Sequence, residues 1–347
     1  MKFIFRYGTP LLGTGCLIMV VLIAMNRELP EAIFNTANLQ SFKILFISII
    51  LEAFPFILLG VLFSALLQVF VTDELIRKYT PRNPIAGVLF GGLLGILFPL
   101  CECGMIPVIR RLIRKGMPAY IGIVYLLAGP VVNPIVYTST YTAFRTEPSM
   151  VYWRMGLAFA VAVVIGLLLY TFMKRSPLRD SSASLHGSAA ALAAGQAFRA
   201  SGGGGLPAKA QGIRSRMAST LSHASDEFFE MGKYLIFGAL LTALIQTAID
   251  RSTLASFAEQ PMLAYPFMMI FAYLLSICST SDAFIASSFS GIFQQGPLLA
   301  FLVFGPMVDF KNTLMMLSTF RVKFVLTLIA LTACLTLIGS YIAEVFL

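Results

Sequence analysis

At least eight stretches of this chain are long and apolar enough to enter a lipid bilayer, and that feature leaves few folds open. A bilayer core is about 30 Å thick and takes roughly 20 residues of helix to cross. No water is present there to satisfy backbone amides, so only helices and closed barrels span it. No stretch shows the alternating pattern of about ten residues that a barrel strand requires. The chain is therefore predicted to be an all-α polytopic membrane protein. Its 12% of charged residues and 58% of hydrophobic ones agree, since a soluble domain carries about 25% charged residues.

The formal charge is +9. In a soluble protein that would suggest nucleic acid. Here the basic residues lie in loops between apolar segments, where they set topology and meet anionic lipid. Membrane lipids are expected as partners and nucleic acid is not. Five cysteines, Cys16, Cys101, Cys103, Cys278 and Cys334, are odd in number and lie in no evident extracellular domain, which argues against a disulfide framework. Near the N-terminus an apolar run from Tyr7 to Met25 follows Lys2 and Arg6. Asn26-Arg27-Glu28-Leu29-Pro30 follows it, with no small-x-small cleavage site, so an uncleaved helix is expected.

From about Lys174 to Asp226 the chain turns polar and low in complexity, with Gly202-Gly203-Gly204-Gly205 at its centre. Such a segment cannot bury a core and reads as a flexible linker. Four parts follow: an N-terminal helix and loop over 1–40, a first membrane repeat over 41–174, a cytoplasmic linker over 175–226 and a second membrane repeat over 227–347.

The two membrane parts repeat one another. Glu52, Gly60 and Gln68 fall at the offsets of Glu230, Gly238 and Gln246. Cys101 in FPLCECG matches Cys278 in LSICSTSD. Gly129-Pro130-Val131-Val132-Asn133 matches Gly305-Pro306-Met307-Val308-Asp309, and Phe144-Arg145 matches Phe320-Arg321. The offset stays between 176 and 178. Chance apolar similarity would not hold that register across polar landmarks.

Positive residues gather on the cytoplasmic side. Arg77, Lys78 and Arg82 form one basic loop; Arg110, Arg111, Arg114 and Lys115 form the next. The segment between, about 84–109, is expected to enter and leave on one side as a re-entrant helical hairpin turning at Pro99–Gly104. The matched hairpin, about 262–296, is flanked by Asp250, Arg251, Glu259, Gln294 and Gln295 and is expected to enter from outside. The repeats are then inverted, a frequent transporter design. If every segment instead crossed fully, the repeats would be parallel and one basic loop would lie outside.

Broken helices survive in a membrane only inside protein or beside water. The two hairpin tips and the two Gly-Pro breaks form four such places, matched in pairs, and point to a substrate or ion site near the midplane. At the first tip, Cys101, Glu102 and Cys103 suit a soft metal or trivalent arsenic, with Cys278 as a third ligand; the plainer reading of a buried cysteine is a small hydrophobe. A bare C-x-C is weak as a zinc site. Cys16 and Cys334 lack polar neighbours, and His186 and His223 lie in or near the linker. At the second tip, Ser279, Thr280, Ser281 and Asp282 suit a polar substrate or an ion, or cap a helix start. Asn133 and Asp309 follow the Gly-Pro breaks, with Lys311 close to Asp309 as substrate-site neighbour or structural partner. Glu52, Glu102, Asp282 and Asp309 are candidates for a coupling proton; Glu52 and Glu230 also suit an interfacial position. No H-E-x-x-H, G-x-S-x-G or P-loop occurs, so neither catalysis nor ATP hydrolysis is expected, and no cofactor.

The run FPLCECGMIPVIRRLIRKGMPAYIGIVYLLAGPVVNP, together with CSTSDAF, resembles the predicted permease family that includes the organoarsenical efflux permease ArsP and the YraQ-type permeases. C-E-C-G, K-G-x-P and G-P-x-x-N-P carry the resemblance, which spans about residue 40 to the C-terminus. It implies a multi-pass permease of the bacterial inner membrane. ArsP-type members export trivalent organoarsenicals, and the thiol ligands would map to Cys101, Cys103 and Cys278. The alternatives are a permease for a metal ion or a sulfur-containing small anion, and a non-transporting scaffold or lipid-phase enzyme. A small molecule or ion is the expected substrate, with room for a homo-oligomer or a partner subunit.

Overall fold

The computed structural model describes residues 36–70, 73–81, 83–98, 101–172, 177–178, 213–248 and 261–346. The predicted helix at Tyr7–Met25, Cys16, His186 and the glycine run of the linker lie outside the described residues. So do the side chains of Gln68, His223 and Glu230. Packing is described for the compact unit Phe46–Leu347.

Thirteen helices account for the described regular structure. In chain order they are α1 (Thr36–Phe70), α2 (Asp73–Tyr79), α3 (Pro84–Leu97), α4 (Glu102–Arg114), α5 (Ala119–Ala128), α6 (Pro134–Ala143) and α7 (Ser149–Phe172). After the linker come α8 (Ile213–Ala248), α9 (Pro261–Leu275), α10 (Asp282–Ser287), α11 (Gln295–Met307), α12 (Phe310–Thr319) and α13 (Val322–Glu344). Helix α8 starts inside the segment read as linker. Its first turns are polar but rich in helix formers, and a helix that continues past the membrane need not be apolar there.

Among the described residues, four stretches are long and apolar enough to cross a membrane: Gln40–Leu67, Ser149–Phe172, Gln295–Thr319 and Val322–Glu344. Three of them turn apolar side chains outward, such as Leu51, Leu58, Leu62 and Leu66 of α1, as suits acyl chains, while Gln295–Thr319 is largely buried. The protein is a multi-pass, all-α membrane protein.

Helix α3 has 14 residues. At 1.5 Å per residue it spans about 21 Å, short of a full crossing. It starts on an N-cap, Asn83, whose side chain accepts from the amide of Ile85, with Pro84 at the first helical position. Helix α4 turns back after Cys101 and ends in a loop where Gly116 takes φ 103°, a left-handed C-terminal cap that glycine adopts without strain. There Lys115 Nζ donates to the carbonyl of Leu67 at 2.8 Å. The end of α4 therefore returns beside the end of α1, from which the chain enters α2 and α3. An apolar cavity of about 170 Å³ lies there, lined by Leu67, Ile76, Tyr79, Leu112, Met117 and Tyr125 among others.

Matched helices have matched neighbours. Helix α3 packs on α5 as α9 packs on α11; α5 packs on α7 as α11 packs on α13. Close approaches recur as well. A Cβ on Gly95 would lie 2.6 Å from the Cα of Gly129, and one on Gly305 would lie 3.2 Å from the Cβ of Ala272. The two halves also cross: α4 packs on α12, and α10 packs on α6.

Candidate functional site

All four predicted breaks are present. The chain leaves helix between Leu97 and Glu102, between Ala128 and Pro134, between Leu275 and Asp282, and between Met307 and Phe310. In the last case α11 runs through Gly305-Pro306 and breaks just after them. The cross-packing of α4 on α12 and α10 on α6 brings each hairpin tip against the post-break helix of the other half.

At the first tip Cys101 takes the N-cap position of α4 in extended backbone, and its carbonyl accepts from the amides of Gly104 and Met105, both at 3.1 Å. Cys101 and Cys103 stand two residues apart at the start of α4, within electrostatic reach of one another. Cys103 is 2% exposed and Cys101 is half-buried. Glu102, 1% exposed, lies within electrostatic reach of Lys311, Asp309 and Asp282. Tip 1 is set against α1 by backbone contact. A Cβ on Gly60 would stand 2.5 Å from the Cα of Gly104, and one on Gly104 would stand 2.9 Å from the carbonyl oxygen of Phe56.

The second tip is held by a residue that the sequence reading did not single out. Arg154 of α7 is fully buried. It donates to Asp282 Oδ2 at 2.7 Å, to the carbonyl of Ser279 at 3.1 Å and to Thr140 Oγ1 of α6 at 2.7 Å. One guanidinium thus ties tip 2 to two helices of the first half. The available signal was a lone charge six residues into an otherwise uncharged 24-residue helix. Ser281 precedes α10 without a side-chain cap bond, and Thr280 Oγ1 donates to Cys278 Sγ at 3.6 Å. Cys278 is buried and lies within electrostatic reach of Glu102 and Glu52, although Glu52 itself is exposed on α1.

The two residues after the Gly-Pro breaks are helix caps. Asn133 Oδ1 accepts from the amide of Val136 at 2.9 Å, and Nδ2 donates to the carbonyls of Gly129 and Pro130. Its side chain is fully engaged in shaping the break. Asp309 caps α12, accepting at Oδ1 from the amide of Asn312, and leaves Oδ2 without a partner among the described residues. Lys311 is fixed by Ser276, whose φ of 47° is the sole positive value at a described non-glycine residue. Ser276 Oγ accepts from the Lys311 amide at 3.2 Å, and its carbonyl draws the Lys311 ammonium to 3.5 Å. Left-handed backbone at a serine is uncommon and collects at functional sites.

The structure therefore gathers Cys101, Glu102, Cys103, Cys278, Asp309 and Lys311 into one centre. Ser279 and Asp282 join Arg154 beside it, and Asn133 is occupied elsewhere. Among the described residues no three His, Cys, Asp or Glu side chains form a group that holds a metal ion. Thiols suit soft species, and the carboxylates suit hard ones.

The family described as "Predicted permease" (ArsP_1) matches residues 38–345. A Bacillus subtilis protein named "UPF0718 protein YcgR" is 44% identical over 86% of this chain and 96% of its own length. A Streptococcus mutans protein named "Putative two-component membrane permease complex subunit" is 36% identical over 90% of this chain and 99% of its own length. No solved structure matches.

Proposed function

The chain belongs to the predicted permease family, and on that premise we propose that it exports a soft, thiophilic substrate, such as a trivalent organoarsenical, across the bacterial inner membrane. The observation that carries the reading is the pair of thiols, Cys101 and Cys103, at a helix break, beside a buried polar centre. Each As–S bond would form by loss of water, the thiol giving its hydrogen to a hydroxyl leaving arsenic. Cys278 stands across the centre on the other tip as a receiving thiol. An inverted repeat fits this use. Matched helices keep matched neighbours and each tip meets the opposite half, so one fixed centre serves two openings. No phosphate-binding loop is present, so an ion gradient, a partner or the substrate gradient drives the export.

The name of the streptococcal relative favours a variant of this reading, in which the chain works with a partner subunit. Growth under a panel of organoarsenicals and soft metals tests the substrate. Cells expressing the wild-type chain should survive methylarsenite better than cells without it, and Cys101→Ser and Cys103→Ser should each remove the gain. Resistance unchanged by both substitutions would rule out the thiol site.

A further inference from the structure

The thiols leave the oxygen atoms of the centre unexplained. Glu102 and Asp309 are each 1% exposed and Asn312 is fully buried. Glu102 Oε2, Asp309 Oδ2 and both side-chain amide atoms of Asn312 lack a hydrogen-bond partner among the described residues. Buried polar atoms are almost always paired, and an orphan calls for a ligand or a reason. Three orphaned side chains lie together at the starts of two helices, α4 and α12, which pack on each other.

Charge points the same way. Lys311 is the base within electrostatic reach of both Glu102 and Asp309. Asp282 already has Arg154. With both carboxylates ionised, two against one ammonium leave one negative charge uncompensated in a dry interior, where an unpaired charge is costly and calls for a proton or a cation. The ammonium does not sit on either carboxylate; it is drawn to the carbonyl of Ser276. Carboxylate and amide oxygens select hard cations over soft ones. A divalent ion would overcompensate a single missing charge, and a monovalent one matches it.

We infer that the centre binds one alkali cation, with Glu102, Asp309 and Asn312 as oxygen ligands and Lys311 as the fixed charge that sets the valence at one. The inference rests on reading this centre as the transport site, and it names the coupling ion. Asp309 is suited to the task because its Oδ1 is held by the cap bond to the Asn312 amide, which fixes two ligands in one helical turn. Glu102 comes from the other half. An ion bound here joins tip 1 to α12, so occupancy changes how strongly the two halves adhere. That is what coupling an ion to alternating access requires.

The test is thermal unfolding of the purified full-length protein in detergent, with lithium, sodium or potassium chloride exchanged for choline chloride at constant ionic strength. One alkali cation should raise Tm saturably, by about 5 °C at a hundredfold excess over its Kd, and choline should not. Asn312→Ala and Glu102→Gln should abolish the rise, and Glu344→Gln should keep it. In choline, Glu102→Gln should also melt above the wild type, because it removes the uncompensated charge. An equal response to every salt, an unchanged response in both ligand variants, or a Tm that ignores alkali cations and moves only with pH would each overturn the inference. The last result would give the place to a proton. Loss of substrate flux with the Tm response intact would sink the permease reading and leave the ion site standing.

Discussion

Arg154 ties the second tip to the first half of the molecule. It is the largest fully buried residue among the described ones, and its three partners lie on tip 2 and α6. Removing one member of a buried pair strands the other charge, which costs about 3–5 kcal/mol. Arg154→Met should therefore lower the thermal midpoint sharply. Adding Asp282→Leu in the same chain should recover much of the loss, because the stranded charge is then gone; a double variant no more stable than the single would refute the pairing. At this scale the sequence was partly legible. The cysteines, Glu102, Asp282 and Asp309 stood out because each is polar at a matched break. Arg154 did not, because one arginine near the start of a membrane helix reads as a topology signal, and its counterpart in the second half is Ala330. Its role comes from tertiary packing between segments 125 to 128 residues away. The cap role of Asn133 was likewise invisible until the break itself had a shape.

Helices in this protein touch where side chains are absent. Gly60 against Gly104 seats α1 on tip 1, and overpacking a close contact costs about 1–3 kcal/mol. Gly60→Ala should destabilise the fold and lower transport together, since the added methyl meets backbone that cannot turn aside. Gly156→Ala has open space around its Cβ and should leave the melting curve and resistance unchanged. Parallel melting and resistance assays of the two variants check both outcomes. The breaks were readable in advance because Pro, Gly and polar residues interrupt apolar runs at matched offsets. The return arm of tip 2 was not. Helix α10 has only six residues; its last, Ser287, and Ser288 and Ser290 of the turn after it each donate to a carbonyl three residues back. Such bonds compete with helix propagation, so the second hairpin is less regular than the first.

Across the whole molecule, the fold class followed from hydropathy alone, and the helix order agrees with it. The sidedness of the repeats rests on loop charge and on geometry. Lys115 meets Leu67, and α3 is too short to cross. Thiol-labelling of single cysteines placed at 78 and 115 in a chain lacking its own cysteines should find both on the cytoplasmic side; labelling from opposite sides would remove the first hairpin and the inversion with it. The start of α8 at Ile213 was hidden because a helix extending beyond the bilayer has no apolar stretch to betray it. The central claim, that the thiol pair at tip 1 carries a thiophilic substrate across the membrane, is tested most directly by flux in proteoliposomes loaded with methylarsenite. Wild-type protein should release the substrate when an ion gradient is imposed, and Cys101→Ser with Cys103→Ser should abolish that release while leaving the protein folded. Equal release from both proteins, or none from either, would contradict the account.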